Sequence, residues 1–352
     1  MVFPYLYYLF LIIPLCASCT NKTASESNQP TIEFLSVENG RKAILDESYE
    51  PYFDILQPRE IQAFTGKKPP FTNIDSVRNF ARNEFSAAVT NFNTHEKECL
   101  SYVIQRISKL MTINGLSSVA NQPWIFIKIE DWLCGGFAHT RGNYIILSQR
   151  HIDHYMTNWT ANRTPEQERV LLANLGGLLV HEQFHSLQRT HKTKFDTLYS
   201  KYWSFAKVDV RSEPFITTNQ VSNPDAPTTE WAFRDSNKYY WIRTLLNPRS
   251  EEPKMGKDFY ALAFELEKHQ MGYRVSKTSE NTLKSIDLQD FESYYNLFPV
   301  DKGLDHPNEI SAYMFAEYYR ALLENQVPFV EAPPTSENTA RNFILWVEKY
   351  LS

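Results

Sequence analysis

Val170-Leu171-Leu172-Ala173-Asn174-Leu175-Gly176-Gly177-Leu178-Leu179-Val180-His181-Glu182-Gln183-Phe184-His185 is the stretch on which the reading of this chain turns. Its apolar side chains at 170–172, 175, 178 and 179 fit a buried helix. The start of that helix is written just upstream. Thr164 stands at the cap, Pro165 at the first helical position and Gln167 three residues after the cap, which together make a capping-box start. Two histidines and a glutamate therefore sit inside a strongly apolar helix.

Helix geometry gives that trio its chemistry. Residues four apart lie one above the other on one face, so the imidazoles of His181 and His185 can reach a single tetrahedral Zn²⁺. Glu182 flanks them, and beside a metal-bound water of raised acidity it has the place of a general base. Leu178, Leu179 and Val180 supply the apolar wall that desolvates such a site. Zinc is the expected cofactor.

Upstream, Pro123 to Ile129 and Asn143 to Ser148 read as strands, with Gly135-Gly136 and Arg141-Gly142-Asn143 as turns between them. This order of strand, turn, strand and HExxH helix resembles the zincin metallopeptidases, in which an edge strand before the active-site helix binds extended substrate by backbone pairing. The resemblance assigns that part to Gly142–Ser148. Two residues compete for the third protein ligand. His191 has the spacing of the metzincin pattern HExxHxxGxxH, but Gln188 stands where that pattern has glycine, and a continuing helix carries His191 away from the face of His181 and His185. Glu309, in His306-Pro307-Asn308-Glu309-Ile310-Ser311-Ala312-Tyr313, resembles the third-ligand glutamate of the gluzincins, with Ala312 as the small residue that lets two helices approach closely. The resemblance favours Glu309 and implies a peptide or protein substrate. Tyr313 shares its face, as an oxyanion donor or as packing.

The other candidates read as structure. His151 and His154 have an HxxH spacing without an acidic partner or a helix pattern, His139 reads as a turn histidine with contact to a tetrahedral intermediate as the alternative, and Asn223-Pro224-Asp225 reads as a turn with the cleft rim as the alternative. Cys99 and Cys134 read as structural, with a disulfide between them left open. After Pro69-Pro70, apolar residues from Val77 to Phe92 mark an amphipathic helix with Asp75 as its cap, and a second helix runs to about Met111. Trp231 to Leu246 reads as a helix, as do the residues after Pro307 and those near 337–350. With 36 Lys+Arg interspersed among 41 Asp+Glu and a net charge of −5, nucleic acid is excluded as a partner.

The N-terminus has a different layout. Tyr5 to Leu15 is a continuous apolar run followed by Cys16-Ala17-Ser18-Cys19 and a polar stretch, as in a secretory signal and its cleavage region. Ala17 and Ser18 before Cys19 resemble a bacterial lipobox, which implies lipidation of Cys19 and a membrane anchor; a plain cleaved signal is the alternative. The expectation is an α+β, zincin-like fold: residues 1–18 a signal peptide, 19–45 a tether, and 46–352 a catalytic domain. In that domain a small mixed sheet packs on the HExxH helix, and the C-terminal part is mainly helical from about residue 230. The expected protein is an exported zinc hydrolase of the metallopeptidase type with Glu182 as base and His181, His185 and Glu309 as ligands. A zinc-binding surface lipoprotein that performs no proteolysis is the alternative.

Overall fold

Trp124-Ile125-Phe126-Ile127-Lys128-Ile129 puts apolar side chains on both faces of one strand, so the chain must cover both sides of the sheet that contains it. The computed structural model describes residues 29–211 and 213–352, and it does so. The first sheet contains β1 (Ile32–Phe34), β2 (Val89–Thr90), β3 (Trp124–Ile129), β4 (His139–Arg141) and β5 (Tyr144–Ser148). Its order is β1-β3-β5-β4, with β2 also on β3; β1, β3 and β5 are parallel, while β2 and β4 run antiparallel to their neighbours.

Period-two alternation sorts the residues between two cores. Phe126, Ile145 and Leu147 join Leu179, Val180, Phe184 and Leu187 of the motif helix in one. Ile127, Ile129 and Ile146 pack with Phe53, Phe64, Val77 and Phe85 in the other. Lys128 is a buried cation on the first of these faces. Glu96 lies 2.8 Å from its ammonium and also completes the Asn93 capping box of the Thr94–Ile113 helix.

The second sheet is antiparallel: β6 (Phe205–Lys207), β7 (Trp231–Asp235), β8 (Lys238–Leu246), β9 (Phe259–His269), β10 (Gly272–Val275) and β11 (Ser285–Asp287). Its order is β10-β9-β8-β7-β6, with β11 on β9. Trp231–Leu246, expected as a helix, is the β7–β8 hairpin. Aromatic and β-branched side chains favour the strand, and Ser236 at φ 55° makes the turn. The C-terminal part is consequently sheet as far as Asp287, and long helices return only at Pro307–Leu323 and Glu337–Tyr350. The architecture is α+β.

Two further expectations change. The stretch read as a tether holds β1, paired with β3, and the Val37–Ala43 helix, so the folded body begins before residue 46. Three residues are too few to carry a periodic signal, and β1 exists because β3 offers it a partner. Gly142–Ser148, expected as the sheet edge, is internal as β5, and the edge is β4. After Pro69-Pro70 the helix runs Ile74–Ala87 and is capped by Asn73, not Asp75. The signal segment and Cys19 lie outside the described residues. Among the described residues no helix is long and apolar enough to cross a membrane.

Candidate metal centre

The motif helix forms as its sequence dictates. Thr164 accepts from the Gln167 N–H while Gln167 reaches back to the Thr164 N–H, and Pro165 occupies the first turn. The helix runs Pro165–Leu171, loosens to a π-helical turn at Leu172–Gly176, and continues as Gly177–Thr190. Carbonyls loosened in that turn are taken up by the Pro307–Leu323 helix: Tyr319 donates its hydroxyl to Leu172 O at 2.9 Å and Arg320 donates to Ala173 O at 3.2 Å. A side chain at Gly176 or Gly177 would run into Tyr319 or Arg320. Farther along, Phe184 stacks on Phe315 at 4.4 Å, and Ser311 and Ala312 are fully buried in the contact. Close approach of these two helices is what brings Glu309 to the histidines.

His181 Nε2 and His185 Nε2 are 3.2 Å apart. Glu309 Oε2 is 3.5 Å from the first, and Glu309 Oε1 is 3.7 Å from the second. A tetrahedral ion with bonds of about 2.0–2.1 Å holds its ligands about 3.3–3.4 Å apart. The three side chains thus already stand at ligand spacing, and together they form a buried cluster able to hold a metal ion. Burial drives the His185 imidazole down to about 3, so it is neutral with a lone pair to give. Burial works to raise Glu309, but the two histidines and the Asn223 amide outweigh it and hold this carboxyl well below its usual range. Neutral imidazoles and an ionised carboxylate are the ligating forms; burial works to lower His181 as well, but Glu309 and Glu182 outweigh it and raise that imidazole, so metal binding there displaces its proton.

Outer contacts fix these groups. His185 Nδ1 faces Gln188 Oε1 at 2.9 Å, and Gln188 Nε2 donates to Asn308 O at 2.8 Å and Ser311 Oγ at 2.9 Å. Gln188, notable in the sequence only as the residue in the glycine position, thus ties a ligand ring to the partner helix. Asn223 donates from Nδ2 to Glu309 Oε1 at 2.7 Å and receives the Asp225 N–H at 2.9 Å. Gly303, at φ 65°, leaves room for Tyr313 and for the Glu309 stem. The Tyr313 ring lies 4.4 Å from that of His181.

Glu182 lies beside the cluster at 2 % exposure. The Thr140 hydroxyl is 2.9 Å from both its carbonyl and its Oε2, and burial pushes this carboxyl up to about 7. Thr140 belongs to the edge strand, and its backbone is turned away from β5: the N–H donates to Asp225 and the C=O accepts from Arg189. Arg189 also donates to Pro224 O at 2.7 Å and Glu50 at 2.7 Å. The loop at 223–225 therefore lies along the outer side of β4 and against the cluster, so Asn223 and Asp225 do more than turn the chain.

The remaining candidates fall away from this centre. His191 ends the motif helix and is not in the cluster. His139, in β4 rather than a turn, is buried with Nδ1 on Phe137 O. His151 contacts Ser148. Cys99 and Cys134 are free thiols in separate cores, so the disulfide left open does not form. Asn223, Gln188 and Thr140 bond to Glu309, His185 and Glu182, places that their sequence context does not announce. A polar residue beside proline in a loop that must be buried was the available signal for the first. Searches against models of known families, curated proteins and solved structures find no match.

Proposed function

We propose that this chain is a zinc-dependent hydrolase of the metallopeptidase type, with a zincin-like fold and a ligand set of the gluzincin kind. One observation carries the reading: Glu309, from a helix far downstream, meets His181 and His185 at the ligand spacing of a tetrahedral ion, with a second buried carboxylate, Glu182, alongside. Two nitrogens and one carboxylate oxygen are the donor set of catalytic zinc sites that keep a fourth position for water.

Bound zinc supplies Lewis acidity, polarising a carbonyl and acidifying water. The chain's own groups do the rest. Glu182 takes the proton of the attacking water and returns it to the leaving amine, with the Thr140 hydroxyl fixing its orientation. Gln188 and Asn223 hold His185 and Glu309 in ligating pose. β4 is the strand on which an extended peptide pairs, through the Thr140 N–H and C=O once Asp225 and Arg189 release them. Export and a lipid anchor at Cys19 place the domain at a membrane surface facing the cell exterior or periplasm.

A second reading has support in the same loop. The four central residues are at most 8 % exposed, and the backbone of Thr140 is occupied, which suits a zinc-holding lipoprotein that cuts nothing. Substitution Glu182→Gln decides between them. The hydrolase reading expects zinc content near one per chain in both proteins and peptide cleavage only in the wild type. Cellular function unchanged in Glu182→Gln, with zinc retained, favours the binding protein. Absence of zinc from both removes the metal reading altogether.

A further inference from the structure

Asn223 also lines a cavity of about 560 Å³, within the roughly 300–1,000 Å³ of ordinary ligand sites. It is bounded by the 221–224 segment, the end of β8, the start of β9, and the 301–305 segment that leads into the Glu309 helix. Asn223 both lines this cavity and donates to Glu309, so one residue is shared by the cavity wall and the metal centre. It belongs to the loop that covers Thr140, and displacement of that loop would free the edge strand and shift this wall together.

The lining is of two kinds. Phe64, Phe259, Tyr260 and Tyr295 give apolar and aromatic walls. Asp287, Asp301 and Asp305 give three carboxylates, and no lysine, arginine or histidine is among the residues that line the space. Asp287 and Asp301 are exposed at the mouth, whereas Asp305 is half-buried and held by the Thr244 hydroxyl at 3.0 Å. Arg243, which carries charge near Asp305, does not line the cavity. Aromatic walls and exposed carboxylates, with no cation in the lining, suit a ligand with an apolar stem and a cationic head, which gains from both ring faces and carboxylates. An acidic ligand is repelled, and a purely aliphatic one leaves the carboxylates uncompensated.

We propose that this cavity is the specificity pocket of the metal site and receives the side chain of a lysine or arginine in an extended peptide. The proposal rests on the hydrolase reading for its catalytic consequence, but occupation of the cavity by an amphipathic cation can be read without catalysis. Two measurements on the zinc-loaded mature chain test it. The first compares cleavage of fluorogenic peptides that differ at one position: lysine, arginine, norleucine or glutamate. Lysine and arginine should exceed norleucine in kcat/KM by about tenfold or more, the size of one charge-assisted contact. Glutamate should be worst. In Asp287→Asn/Asp301→Asn the lysine-to-norleucine ratio should collapse towards one. The second measures binding of agmatine by ligand-observed NMR to Glu182→Gln, where turnover is silent. Binding should be present there and weakened about tenfold in the same protein carrying the two Asp→Asn changes. Cleavage with no basic preference, or a preference untouched by the Asp→Asn changes, overturns the pocket and leaves the hydrolase standing. If no peptide is cut, the hydrolase reading fails by itself, and agmatine that does not bind then overturns the pocket as well.

Discussion

Exchanging Glu309 for glutamine separates the two ways of completing the metal centre. Glutamine keeps the volume beside Gly303 and Tyr313 and can still accept from Asn223, so the packing survives while the ligand charge is lost. A ligand that binds only the native chain stabilises it by RT ln(1 + [L]/Kd), about 4 kcal/mol when free zinc is held at 1,000 times Kd. An unfolding entropy of about 2.1 cal/mol/K per residue over roughly 320 residues is about 0.7 kcal/mol/K, so zinc should raise the wild-type Tm by about 6 °C. Loss of an anionic ligand weakens binding at least as much as the roughly 100-fold seen for outer-shell changes. At the same free zinc the rise then falls to about 2 °C or less. Calorimetric melts in zinc buffers read this directly, and the zinc-induced shift is the quantity to compare, because Glu309→Gln also removes a buried charge from the metal-free protein. His191→Ala should keep the full shift, since His191 lies outside the cluster. A full shift in Glu309→Gln, or its loss in His191→Ala, refutes the assignment.

Other substitutions test the supports. Glu182→Gln should lower peptide hydrolysis by about 10²–10⁴-fold with zinc content unchanged by metal analysis; retained turnover would remove Glu182 as the base. Asn223→Ala should weaken zinc binding by about 10–100-fold in a chelator competition, because Glu309 loses the donor that aims it. Lys128→Met strands Glu96 in a core where the two side chains are only 5 % and 3 % exposed. It should cost about 3–5 kcal/mol in denaturant unfolding, and a change under about 1 kcal/mol would contradict that picture. Burial pushes the Cys99 and Cys134 thiols up to about 12. At pH 8 they are therefore protonated, and iodoacetamide should label neither in the native protein while labelling both once it is unfolded; native labelling by peptide mass analysis would show them accessible.

What the sequence disclosed about this molecule follows from what kinds of order repeat. The start of the motif helix was legible to the residue, because Thr164, Pro165 and Gln167 spell it, and the leucines gave its buried face, while the π-helical turn at Leu172–Gly176 left no mark in the pattern. β3 and β5 were legible from their apolar runs. Periodicity failed at Trp231–Leu246, where an aromatic run of sixteen residues fits either period and only Ser236-Asn237 marks the hairpin turn. It failed again at Ile32–Phe34, a strand that has no stability apart from β3. Glu309 was reachable only by resemblance, since nothing in the pattern of its own helix says which other helix it will meet. Asn223, Asp225 and Gln188 were harder still: the first two bond across the fold to Glu309 and Thr140, and Gln188 holds His185 on its own helix while bonding across to Asn308 and Ser311. Such bonds leave no local trace, yet every buried polar group must find a partner. Two helices therefore deliver His181, His185 and Glu309, while the irregular segment at 223–225, where periodicity has nothing to say, bonds to Glu309, covers the edge strand and lines the acidic cavity. A site assembled this way takes its ligating side chains from the helices and their alignment from the loop, so Asn223→Ala should weaken the hold on metal while the helices that carry His181, His185 and Glu309 stay folded.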